Sequence, residues 1–231
     1  MLDIKGLRVV RGQGPQAHAV RLDALQLQPG RILAITGESG CGKSTLLEAI
    51  GLLLKPERLE HYRLGAGRED VAQLLANDQQ TALAALRARE LGFVLQSGGL
   101  LPFLKVRDNI LLPRRLLGLA PHSAAVDKAV AALGLEPLLD KLPQALSIGE
   151  RQRVACVRAI AHEPPVLLAD EPTAALDPSN ARRLFELLLN LVGELGMSAL
   201  LVSHDWTLVQ HFGLPRLGAV NGDGETRFEP V

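Results

Sequence analysis

Apolar and polar positions alternate through the first 35 residues, with Leu7 and Val9, Val20 and Leu22, and Leu25 and Leu27 in step, until Pro29-Gly30 ends the run. This period of two predicts short strands and turns, so an antiparallel strand region opens the fold. Ile32-Leu33-Ala34-Ile35 is then a short apolar run that feeds into glycines. Behind the glycines, Ser44 to Leu54 carries Leu46, Leu47, Ile50 and Leu54 at helical spacing, closed by Pro56. Strand, glycine loop and helix therefore follow one another directly. From there to about Arg89 no chemical motif is readable, and the segment reads as variable surface. Between Gly98 and Pro165 the period is helical, clearest over Ala124 to Leu133 and Glu150 to His162, with Pro113, Pro121, Pro137 and Pro143 as breaks. Val166 to Ala169 and Ser198 to Ser203 read as buried strands. Between them Pro178 opens a helix that aligns Leu184, Leu187, Leu191 and Leu195, capped by Asp177. The tail from Gly218 reads as edge strands or a loose end.

A length of 231 residues suits one α/β body with an inserted subdomain. The expected division is a core of about residues 1–96 and 165–231 with a helical subdomain of about residues 97–164, all within a single unit spanning 1–231. The composition is 47% apolar but only 3% aromatic, so the core must come from Leu, Val, Ile and Ala. With 25 basic and 25 acidic side chains, no global field advertises nucleic acid or a basic partner. Cys41 and Cys156 form neither a disulfide framework nor a metal-spaced cluster, which fits a reducing cytoplasm. Met1-Leu2-Asp3-Ile4-Lys5 is not a secretory signal, and no apolar stretch approaches the roughly 20 residues of a membrane helix. Any membrane contact is expected to go through a partner.

Gly37-Glu38-Ser39-Gly40-Cys41-Gly42-Lys43-Ser44-Thr45 has the spacing of a phosphate-binding loop. Its glycines let backbone N–H groups curl around phosphate at a helix N-terminus. Lys43 would reach the β- and γ-phosphates, and the Ser44 hydroxyl would ligate Mg²⁺, so a nucleoside triphosphate is the natural ligand. Val166-Leu167-Leu168-Ala169-Asp170-Glu171 is a strand that delivers carboxylates to its C-terminal end. Asp170 is placed to hold Mg²⁺ through its water shell, and Glu171 to polarise the water that attacks the γ-phosphate.

Leu146-Ser147-Ile148-Gly149-Glu150-Arg151-Gln152-Arg153 resembles the signature of the ABC ATPases. Ser147 and Gly149 precede a helix expected to begin near Glu150, a second anion-binding N-terminus with no phosphate of its own. The resemblance spans residues 1 to about 210. Gln96 resembles the Q-loop glutamine, Ala174 to Asp177 the D-loop, and His204 the switch histidine. It implies a P-loop α/β fold: a mixed central sheet flanked by helices, an N-terminal antiparallel β-subdomain and an inserted α-helical subdomain. It also implies ATP and Mg²⁺ as cofactors, with Gln96 approaching the metal and the attacking water, and His204 hydrogen-bonding the γ-phosphate. The expected assembly is a homodimer, or a pair with another ATPase subunit, in which each ATP lies between one phosphate loop and the other chain's Ser147, Gly149 and Asp177. An integral membrane permease is the implied partner, with this chain peripheral on the inner face of the cell membrane.

Three positions depart from the family's usual pattern. Ile148 stands where a glycine is common. The early strands lack the aromatic residue that usually stacks on adenine, and Arg11 is the expected substitute through its guanidinium plane. Cys41 sits inside the phosphate loop, where a helix N-terminus favours the thiolate, so a reactive thiol protected by ATP is expected. Arg89 to Gln96, with Leu100-Leu101-Pro102 and Asp108-Asn109-Ile110, looks like the ATPases of lipoprotein release and macrolide export. Leu100 to Ile110 then forms either a groove for a membrane subunit's coupling helix or part of the helical core. A non-transport regulator of the cell-division type, also short and membrane-partnered, is the competing reading. A catalytically dead scaffold is disfavoured by Lys43, Asp170, Glu171 and His204.

Overall fold

A computed structural model describes residues 2–14, 17–65, 67, 69–222 and 224–231. The opening alternation becomes two ten-residue strands, β1 (Leu2–Arg11) and β2 (His18–Leu27), paired antiparallel with Leu7 opposite Leu22 and Val9 opposite Val20. Those four side chains all face one core. β3 (Ile32–Thr36) leads through the glycine loop into α1 (Lys43–Ile50). This helix ends well before Pro56: Gly51 caps it, Leu52 takes a φ of 59°, and the fully buried Tyr62 donates its hydroxyl to Ile50 O at 2.5 Å. A partner from elsewhere in the chain thus takes up a terminal carbonyl and fixes the stop.

The segment that looked like variable surface is ordered. β4 (His61–Leu64) pairs with β1, and β5 (Glu69–Asp70) pairs with β4, so the antiparallel region widens. α2 (Val71–Ala76) is capped by Asp70, and α3 (Gln80–Glu90) buries Leu83 and Leu86 before β6 (Leu91–Val94) begins. The helical stretch follows as α4 (Val106–Leu116), α5 (Ala124–Ala132) and α6 (Ile148–Ile160). Pro113 does not break α4 but lies inside it. The roughly 3 kcal/mol that an interior proline costs is offset by burial of Val106, Asn109, Ile110 and Arg114 along one face. Asn109, fully buried, also bonds Leu101 N and the carbonyls of Leu101 and Leu104, tying the preceding loop to the helix.

β7 (Val166–Asp170), α7 (Pro178–Glu194), β8 (Ser198–Val202) and α8 (Trp206–His211) restore the α/β alternation. Both strands are buried throughout, and their side chains alternate between two cores. Leu167, Ala169, Ala199 and Leu201 meet the helices with Phe185 and Val154, whereas Val166, Leu168, Leu200 and Val202 meet Leu46 and Leu47 of α1. The expectation of a loose or edge tail is wrong. β9 (Arg216–Gly222) and β10 (Glu225–Pro230) lie in the middle of the sheet, whose order is β5-β4-β1-β2-β10-β9-β3-β8-β7-β6. β10 runs parallel to β2 and antiparallel to β9, and β9 runs parallel to β3, so this hairpin joins the antiparallel half to the parallel half. The parallel strands β3, β8, β7 and β6 then end along one edge, where their loops meet.

Candidate active site

Gly42 closes the glycine loop with φ 95°, and a Cβ there would lie 2.4 Å from Val20 Cγ2, so only glycine fits between the loop and β2. Ser39, Gly40, Lys43, Ser44, Gln96 and Glu171 are among the residues around a cleft of about 240 Å³ at the N-terminus of α1. Lys43 is buried, and its Nζ donates to Gly37 O at 2.9 Å and Glu38 O at 2.8 Å, which holds the ammonium at the base of the loop. Together with the free N–H groups and dipole of α1, this makes the cleft a site for a polyanion. Gly37 and Glu38 also line an adjoining cleft of about 380 Å³ with Ser203, His204, Trp206 and Arg216. The Cys41 thiol is not an accessible nucleophile: the residue is buried, and a Cβ on Gly37 would meet its Sγ at 2.7 Å. Packing of the loop against β9 has enclosed it.

Asp170 is almost fully buried at the end of β7, and Ser44 Oγ donates to its Oδ1 at 3.1 Å. Burial holds its carboxyl above the usual range, with Glu171 and Glu48 adding to the rise while Ser44 and Lys43 oppose it. Glu171 follows with φ 47°, the left-handed region that a non-glycine residue enters only when its surroundings demand it. Its N–H donates to Val202 O at 3.1 Å. Gln96 Nε2 donates to Glu171 Oε2 at 3.2 Å, and His204 Nδ1 lies 3.2 Å from the same oxygen. The ends of β6, β7 and β8 thus converge on one carboxylate. Ser44 with Asp170 offers hard oxygen donors of the kind that suit Mg²⁺ accompanied by substrate phosphates.

Arg11 flanks this site. Its guanidinium donates to Thr45 Oγ1 at 3.4 Å and pairs with Glu48 Oε2 at 3.2 Å, so it lies along the side of α1 at the solvent edge. The reading of single residues missed Glu48, one turn beyond Ser44 and visible through helical spacing. It also missed Trp206, the only tryptophan, which lies two residues after His204 and is stacked under Arg216 at 3.6 Å.

The remaining expected residues lie elsewhere. Ser147, Gly149 and Asp177 line a cleft of about 730 Å³ between α5, α6 and α7 that shares no lining residue with the cleft at Lys43. α6 begins at Ile148, two residues before the expected start, because Ser147 and Glu150 form a capping box. Ser147 Oγ accepts from Glu150 N at 3.2 Å, and Glu150 Oε2 accepts from Ser147 N at 2.7 Å, which holds the Glu150 carboxyl below its usual range. Ile148 is 54% exposed on this cleft. Asp177 caps α7, accepting from Asn180 Nδ2 at 2.6 Å and from Ser179 N and Asn180 N at 3.2 Å each. These bonds, the Asn180 side chain foremost, lower its carboxyl to about 2.

Residues 100–110 divide between the two roles weighed for them. Val106 and Ile110 are buried in the helical core, whereas Phe103 is 74% exposed. Among the described residues no helix is long and apolar enough to cross a membrane.

Both the sequence and the fold have known relatives. The lipoprotein-releasing system ATP-binding protein LolD 1 of Rhodospirillum rubrum is 43% identical over 183 residues, 78% of each chain. LolD of Ruegeria sp. is 39% identical over 212 residues, 90% of each. The dimeric post-hydrolysis structure of the ATP-binding cassette MJ0796 with ADP and Pi superimposes with a TM-score of 0.83 at 30% identity, covering 100% of this chain and 98% of that one. Residues 21–174, from β2 through the loop after Glu171, match the family described as ABC transporter. The chain belongs to the ABC transporter family.

Proposed function

We propose that this chain is the ATP-hydrolysing subunit of an exporter of the lipoprotein-release type, peripheral on the inner face of the cell membrane and bound to a separate permease. The observation that carries the chemistry is the shared oxygen of Glu171, met by Gln96 and His204 at 3.2 Å each at the mouth of the phosphate-loop cleft. Residues 39–45 bind the triphosphate through backbone N–H groups, and Lys43 moves from its loop carbonyls to the β- and γ-oxygens. Ser44, Asp170 and Gln96 would hold Mg²⁺, which when bound would supply charge neutralisation for the phosphates. Glu171 orients and polarises the attacking water. Gln96 holds that carboxylate, and His204 passes from it to the γ-phosphate. Arg11, at the solvent edge of α1 beside Thr45 and Glu48, is the candidate to stack on adenine through its guanidinium plane.

Dimerisation follows from the separation of the two clefts. Ser147 and Gly149 stand at an anion-binding helix start away from Lys43, so the phosphate they bind is held by the other copy, with Asp177 beside it. Two ATP molecules thereby join two chains, and hydrolysis separates them. Segment 97–164 acts as the helical arm of this movement and presents Phe103 to the permease. The relatives named for lipoprotein release support that cargo class.

The test is to tag the chain, solubilise its native membranes gently and identify what co-purifies in Mg-ATP. A stoichiometric membrane protein with a large domain on the far side supports the exporter. Recovery of soluble partners alone, or of none, overturns it.

A further inference from the structure

Gln96 is carried by a loop whose shape is set from outside. Gly98 N donates to Leu95 O at 2.9 Å, closing a turn around Gln96, and Gly98 and Gly99 follow at φ 72° and 59°. Two successive left-handed residues turn their carbonyls towards α6. There a single side chain takes both: Arg158 Nη2 donates to Gly98 O at 2.8 Å and Nη1 to Gly99 O at 2.7 Å. A Cβ on Gly98 would lie 3.7 Å from Ala155 Cβ and 3.7 Å from Gln152 Oε1, so the turn rests on the face of α6 as well as on its arginine.

Arg158 lies in the last turn of α6, a helix of 13 residues that buries Val154, Ala155, Cys156, Val157 and Ile160. Burial lowers the guanidinium from its ordinary value, and two carbonyl acceptors meet that cost. Ser147, which caps the same helix, is 11 positions earlier, or about 16 Å along its axis. One rigid element therefore carries the partner-facing helix start at one end and the clamp on the Gln96 loop at the other.

We propose that Arg158 is a positioning residue for hydrolysis, whose fork on the Gly98 and Gly99 carbonyls fixes Gln96 against Glu171 and ties that contact to the position of α6. The proposal rests on the reading of Gln96 and Glu171 given above. Phosphate bound at Ser147 by a second copy fixes α6, and Arg158 passes that constraint to the carboxylate that orients water.

The experiment is a double-mutant cycle of Arg158→Ala and Gln96→Ala in the full chain, read by steady-state Mg-ATP hydrolysis and by binding of a fluorescent ATP analogue. Arg158→Ala lowers kcat about ten- to a hundredfold, the scale of a misplaced catalytic group, with KM changed less than about twofold. Added to Gln96→Ala it costs less than about a further twofold, because the two act through one contact. Arg158→Lys recovers part of the rate, since an ammonium serves the two carbonyls poorly. It takes the place of the alanine in the same cycle if thermal unfolding shows that variant to be misfolded. The same fractional loss in both backgrounds overturns the role of Arg158 and leaves Gln96 in place. Gln96→Ala at the parental rate removes the reading of Gln96, and this proposal with it.

Discussion

Replacing Glu171 by Gln tests the reaction with almost no change in shape. The carboxylate oxygen that meets Gln96 and His204 becomes an amide oxygen, which still accepts a hydrogen bond, and the left-handed backbone at this position is unchanged. One retained acceptor keeps the stability change within about 1 kcal/mol. The residues proposed to hold phosphate, Ser39 to Thr45, lie on the glycine loop and the first turn of α1, so nucleotide affinity is expected within about twofold of the parent. What is lost is the proposed base. A positioned proton acceptor is worth about 10²–10⁴ in rate, which at about 1.36 kcal/mol per tenfold is a barrier higher by about 3–5 kcal/mol. Single-turnover phosphate release in Mg-ATP measures the drop directly, and size-exclusion chromatography in ATP shows whether the unhydrolysed nucleotide holds a dimer. Hydrolysis at the parental rate refutes the role of Glu171. So does a loss of rate matched by an equal loss of ATP binding, which would place Glu171 among the binding groups.

Asp170→Asn separates stability from function. Burial raises this carboxyl in the folded chain, so the folded state holds its proton more tightly than the unfolded one, and the ionised group destabilises the fold at neutral pH. The asparagine raises the thermal midpoint of the nucleotide-free chain at pH 7, an advantage that disappears as pH falls below the ordinary carboxylate range, while hydrolysis is lost. An unchanged or lower midpoint at pH 7 counts against the assignment. Gly92→Ala places a Cβ 2.2 Å from Ala159 O and 2.9 Å from Pro164 Cγ, forcing β6 off α6. The expected loss is about 1–3 kcal/mol in denaturant unfolding, and a change below about 0.5 kcal/mol contradicts the packing. Arg11→Ala weakens ATP binding about two- to fivefold if its guanidinium stacks on adenine. Unchanged affinity, with weakening on His18→Ala instead, assigns that contact to His18.

The legible parts of this chain were those in which local pattern and local chemistry coincide. β7 and β8 are uniformly buried, so unbroken apolar runs revealed them, and the phosphate loop is built from backbone that only its own glycines permit. Asp177 was visible as a cap because a cap is a contact over two or three residues. What escaped depends on distant partners. α1 stops where Tyr62 takes its carbonyl, and α4 continues through Pro113 because four buried residues outweigh one missing hydrogen bond. β9 and β10 looked peripheral because their glycines and charges suit an edge, yet their neighbours on both sides come from far earlier in the chain. Arg158 was one more charge in a helix, since nothing near it in sequence shows that two carbonyls 59 and 60 positions away face it.

The central position of β9 and β10 also bears on how the chain matures during synthesis. β2 and β3 are nearly adjacent in sequence but do not pair. The gap between them is filled only by strands at residues 216–230, which emerge from the ribosome after every other element described here. Without them the sheet would fall into two pieces, β5-β4-β1-β2 and β3-β8-β7-β6, each with an open edge of unsatisfied N–H and C=O groups. Strand pairings this distant in sequence form slowly, and exposed edges of this kind are where partly made chains associate wrongly. The glycine loop, whose backing at Gly37 is Ala219 of β9, takes its final support only in that last step. The finished geometry of the nucleotide site therefore waits on the pairing of β9 and β10, strands that follow every other described element in the sequence.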